Sequence, residues 1–62
     1  MTNPPLKGLR ALRGDRPQHE LARVIGTSQS GFHKFETGAV RLDIYRAKTL
    51  ADHFGVSIEE LL

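Results

Sequence analysis

Apolar residues recur every three or four positions along nearly the whole chain and almost never every second one, so the pattern is helical throughout. Leu6, Leu9 and Leu12 follow Pro4 and Pro5 and run to Gly14, which predicts a first helix of about two turns entered through proline. In DRPQHELARVIG, Leu21, Val24 and Ile25 make a stripe; Asp15 or Arg16 is the expected cap, with Pro17 in the first turn and Gly26 as the stop. In TSQSGFHKFETG, Thr27 and Ser28 are good caps for a third helix over residues 28–37 that ends at Gly38. Asp43 can cap a fourth, carrying Ile44, Ala47, Leu50, Ala51 and Phe54 to Gly55. Ser57 and Glu60 have the spacing of a capping box that opens a short last helix with Ile58, Leu61 and Leu62. Five helices and no strand are expected, with no repeat and no long linker.

The third helix carries the pattern that asks for a function. At 100° per residue, Gln29, Ser30, His33, Lys34 and Thr37 fall within an arc of about 140°, while Gly31, Phe32, Phe35 and Glu36 occupy the other side. One side is built to pack and the other to stay in solvent. Only Gly26, Thr27 and Ser28 separate this helix from Ile25, so the two helices must meet at a sharp bend. A turn of three to four residues, often with glycine, is the mark of a helix-turn-helix, whose second helix enters the major groove of DNA. The side chains on the arc suit that groove. Gln29 can offer donor and acceptor together to an adenine edge, His33 or Lys34 can donate to guanine or phosphate, and Ser30 and Gly31 are small enough for close approach.

With those residues in view, the sequence resembles the Cro/repressor (Xre-like) helix-turn-helix family over about Leu9 to Leu62. The segments LRALR, QHELARVIGTSQSGFHKFETG and LADHFGVSIEELL are similar to the family's first-helix end, central motif and closing segment, in the same order. The resemblance implies a compact five-helix bundle of the lambda-repressor-like DNA-binding type. It implies that Gln29, Ser30 and Lys34 face bases with His33 beside them, and that Gln18, Thr27, Thr37 and Arg41 lie near the sugar-phosphate chain. It further implies a structural ion pair between Arg13 and Glu36. Three features depart from the family pattern: the link from Leu12 to Gln18 is about two residues short and lacks the common Leu-Ser, so that Pro17 takes the usual cap position; Leu42 stands where many members have proline; and Gly31 replaces a common Thr or Ser.

Composition narrows the class further. Sixty-two residues are expected to make a single domain, residues 1–62, because so short a chain cannot divide its buried surface between two cores. There is no cysteine, hence no disulfide framework or thiolate metal site, and a reducing, cytoplasmic setting is the simpler expectation. No apolar run approaches the roughly 20 residues that cross a bilayer, and the start lacks the apolar segment of a signal peptide. The net charge of +2 is unevenly placed: residues 1–51 hold all nine Lys and Arg with four acids, and residues 52–62 hold three acids and no base. The body of the chain therefore suits a polyanion.

Competing chemistries are weaker. His19, His33 and His53 fall on three different helices without ligand spacing, so no metal or other cofactor is expected. Ser28, His33 and Asp43 could be written as a hydrolase triad, but Ser28 is better used as a cap and no oxyanion site is evident, so the chain is not read as an enzyme and no small-molecule ligand is expected. Tyr45, Ile58, Leu61 and Leu62 either form a patch for self-association or close the core. The reading is a transcriptional regulator, most simply a repressor, binding double-stranded DNA as a homodimer on a pseudo-palindromic operator. Its rival is a protein-interaction module of the same fold, binding through the last helix and the acids Asp52, Glu59 and Glu60.

Overall fold

The structure, a computed structural model, describes residues 3–62. Among them are four α-helices: α1 (Lys7–Arg13), α2 (Gln18–Val24), α3 (Gln29–Thr37) and α4 (Ile44–Phe54). The fold is all-α, and the fifth element is a 3-10 turn over Ile58–Leu61 rather than an α-helix. Four residues leave too little chain for a run of i→i+4 bonds. The turn is held by tighter bonds instead, from Glu60 N–H to Ser57 O at 3.1 Å and from Leu62 N–H to Glu59 O at 3.1 Å.

Local chemistry sets the helix ends. Ser28 Oγ accepts the Gly31 N–H at 3.1 Å and Asp43 accepts the Arg46 N–H at 3.1 Å, so α3 and α4 begin one residue after the cap, at Gln29 and Ile44. Each such cap is worth about 1 kcal/mol. The Ser57–Glu60 capping box is complete, with the Ser57 N–H donating to Glu60 Oε2 at 2.9 Å. At α2 the expected cap is corrected: neither Asp15 nor Arg16 fills it. Pro17 is extended (ψ 144°), stands before the helix rather than in its first turn, and has no side-chain acceptor to give.

Each of the five elements contributes one fully buried large side chain to the core: Leu9, Leu21, Phe32, Leu50 and Leu61. Burying a side chain of this size stabilises the fold by about 1.5–3 kcal/mol. Val24 and Ile44 lie on the surface although the spacing put them on apolar stripes. Val24 sits at the margin of the α2 stripe, about 60° from Leu21 and 100° from Ile25, and Ile44 is the first residue of α4, where it overhangs the end of the core. Between α2 and α3, Gly26 adopts φ +70°. The Thr27 N–H reaches Ala22 O at 2.9 Å and the Gly26 N–H reaches Arg23 O at 3.3 Å, which closes α2 and turns the chain into α3. An L side chain at Gly26 would be strained even though the space around it is open.

The loop into α4 is tied by Arg46, whose Nη1 donates to Asp43 Oδ1 at 2.9 Å and whose guanidinium lies 5.8 Å from the centre of the Phe35 ring. The Arg46 side-chain and backbone bonds hold the Asp43 carboxyl below its ordinary value of 3.8. Because the folded value is the lower one, the unfolded chain takes up the proton first. The contribution of this carboxylate is complete above about pH 4 and disappears as pH falls through the folded value. In thermal unfolding, wild type is expected to exceed Asp43→Asn at neutral pH and to converge with it in acid, since Asn still caps but carries no charge.

Candidate nucleic-acid interface

Helix α3 is held by one side only. Phe32 is fully buried, Phe35 and Glu36 are buried beside it, and Gln29, Ser30, His33, Lys34 and Thr37 are all exposed. The arc drawn from 100° spacing is therefore the solvent face of the helix. Its N-terminal end follows directly on the α2–α3 turn, so the first residues, Gln29 and Ser30, are at the surface. Thr27 is half-buried against this end, and Gly31 is what admits it: a Cβ at position 31 would overlap the Thr27 hydroxyl. The family's Thr or Ser at that position could not share the space with Thr27 as it stands here.

Behind the arc, three helices meet in one polar network. Arg13 of α1 forks onto Glu36 of α3, with Nε to Oε2 at 2.8 Å and Nη2 to Oε1 at 3.0 Å. Its third nitrogen donates to Arg16 O at 2.9 Å and so pins the α1–α2 link. The hydrogen bond to Glu36 raises the Arg13 pKa, partial burial opposes it, and the guanidinium remains a cation. From α2, Gln18 Nε2 reaches Glu36 Oε1 at 3.3 Å and His33 Nδ1 at 3.2 Å. A bidentate arginine is suited to this place because its planar fork satisfies both carboxylate oxygens at once.

The remaining residues singled out by sequence are distributed around the helix. The Thr37 hydroxyl donates within α3, to His33 O at 3.0 Å with Lys34 O at 3.4 Å. Arg41 is exposed in the loop between α3 and α4. Ser28 and Asp43 are both committed to helix caps, and Glu60 to its capping box. Sequence reasoning did not single out Lys7 and Arg10. They line a cleft of about 320 Å³ beside α3 together with Gln18, His33 and Thr37. Their spacing of three on α1 was the available signal, since it places both on one face. The apolar residues near the C-terminus divide: Leu61 is core and Ile58 half-buried, whereas Tyr45 is 82% exposed and Leu62 70%. With Val40 and Ile44, Leu62 rims a second cleft of about 290 Å³, which Leu6, Phe35 and Ile58 also line.

A family model described as a helix-turn-helix domain matches residues 6–62. The chain is also similar to the crystal structure of the restriction-modification controller protein C.AhdI from Aeromonas hydrophila. The identity is 26% and the TM-score 0.75, over 90% of this chain and 84% of that one. Among curated proteins, none matches. Among the described residues no helix is long and apolar enough to cross a membrane.

Removing one partner of the Arg13–Glu36 pair leaves a partly buried charge without its counter-ion, which is the costly way to break such a pair. Glu36→Ala is expected to lower stability in urea unfolding by about 3 kcal/mol, the low end for buried pairs, because the guanidinium keeps some access to water. The double substitution Arg13→Met with Glu36→Leu should recover most of that loss, since it removes both charges and retains volume.

Proposed function

The chain belongs to the helix-turn-helix domain family, in its Cro/repressor (Xre-like) type, and is a DNA-binding transcription regulator; from that premise we propose that it represses promoters by laying α3 in the major groove as a twofold dimer. The observation that carries this reading is the division of α3 into a packed side and a bare polar side directly after a four-residue turn. In it, Gln29, Ser30, His33 and Lys34 read base edges, and Gln18, Thr27, Thr37 and Arg41 flank them along the sugar-phosphate chain. Lys7 and Arg10 add positive charge on the same flank. Arg13 and Glu36 act behind the surface, fixing α1 to α3. Regulators of this family work by binding rather than by catalysis.

A single α3 offers few base contacts, and two half-sites one helical turn apart, ~34 Å, supply the missing discrimination. The molecule measures 30 × 22 × 22 Å, so its long dimension is close to that spacing. The exposed apolar side chains of Val40, Ile44, Tyr45 and Leu62 support self-association. The likeness to a restriction-modification controller protein supports a role in regulation rather than in DNA processing.

Two measurements test the reading. On a duplex selected from random sequences, Gln29→Ala is expected to cost about 1–3 kcal/mol and to relax preference at one base pair, while Arg41→Ala weakens all duplexes alike and lowers the salt slope by about 1. Unchanged affinity in both Gln29→Ala and Lys34→Ala would favour the protein-interaction role instead. In sedimentation, Ile44→Asp with Tyr45→Asp should shift the protein toward monomer without altering its helical content.

A further inference from the structure

We propose that Gln18 is a positioning residue that holds His33 in a single tautomer, with Nδ1 as acceptor and Nε2–H as donor, so that this position on α3 selects acceptor atoms on the DNA. The proposal deepens the major-groove reading and rests on it. An imidazole nitrogen at hydrogen-bond distance from an amide leaves two arrangements, because the nitrogen and oxygen of a glutamine amide can be exchanged. Glu36 removes one of them. Its Oε1 lies 3.3 Å from the same Gln18 Nε2 that lies 3.2 Å from His33 Nδ1. Turning the amide over would set its oxygen against a carboxylate oxygen, two acceptors with no hydrogen between them. Arg13 in turn holds that carboxylate with a fork at 2.8 and 3.0 Å, so the direction of the whole chain of bonds is set from α1.

With the amide so oriented, its two hydrogens point to Glu36 and His33, and His33 Nδ1 must accept. The ring is then neutral, and its remaining nitrogen, Nε2, carries the hydrogen. His33 lies on the exposed arc, between Gln29 and Thr37 in angle, where a donor faces whatever the groove presents. A ring with one free N–H matches purine N7, guanine O6 or thymine O4, and does not match the cytosine or adenine amino groups. Gln18 lies along the phosphate flank, yet neither of its amide hydrogens is left for a phosphate oxygen. Its contribution runs through the imidazole.

Long-range proton–nitrogen NMR on the free protein at about pH 8, where a histidine is ordinarily neutral, reads the tautomer directly. Wild type is expected to show His33 Nδ1 bare and Nε2 protonated. Gln18→Glu, which presents an acceptor where the amide presents a donor, should move the hydrogen to Nδ1, and Gln18→Leu should give a mixture. A wild-type ring protonated on Nδ1, or a pattern unchanged in both variants, overturns the proposal whether or not the protein binds DNA. Duplex binding supplies the second arm. Gln18→Leu and His33→Ala should each weaken the selected site about 5–10-fold at the same base pair, and the double variant should be no weaker than His33→Ala alone. Equal loss on every duplex would mean a phosphate oxygen as the acceptor and would overturn the base assignment. Failure of wild type to bind any duplex would overturn the major-groove reading and leave the NMR result standing.

Discussion

Everything the molecule presents depends on the grip that Phe32 and Phe35 give α3. A helix of nine residues has no stability of its own in water and must be held by packing. Here the packing is confined to one side. Phe32 goes to the centre of the core with one large residue from each of the other elements, and Phe35 lies under Arg46, so α3 cannot roll without emptying both places. A fully buried aromatic is worth several kcal/mol, a large share of the total stability of a chain this short. The exposed side is thereby oriented by residues that never reach it.

The buried polar group in this grip is Glu36. A carboxylate on the packed side of a helix costs stability unless its oxygens are answered, and they are answered from two other helices, by Arg13 and by Gln18. The result is directional as well as stabilising. Apolar residues in the same places could fill the volume but could not specify which way an amide points.

Helix order, ends and the packed side of α3 were legible because each rests on short-range chemistry: apolar spacing of three and four, Ser28 and Asp43 as caps, Gly26, Gly38 and Gly55 as stops. What escaped depends on how elements meet. By spacing alone Pro17 reads as a first-turn residue; the family resemblance puts it at the cap position, and there its extended backbone stands. The last helix reads as helical by its capping box, yet the chain between Ser57 and Leu62 is too short for more than one tight turn. Arg13 and Glu36 are 23 residues apart and Gln18 and His33 are 15 apart, so no local period connects either pair. The resemblance to a known family points to the first and says nothing of the second. Ile44 is exposed because it opens α4 at the end of the core, whereas Tyr45 stands about 160° around the helix from Ala47, on the side away from Leu50 and Ala51.

The bareness of α3 has a further result. Among the described residues, the side chains of Gln29, Ser30 and Lys34 make no hydrogen bond or ion pair with the rest of the chain, whereas Thr27 is half-buried and His33 is bonded to Gln18. The first three can be exchanged for other polar residues at almost no expense to the fold. The bare side of α3 is thus free to vary in composition while the packed side, through Phe32, Phe35 and Glu36, keeps the helix in place.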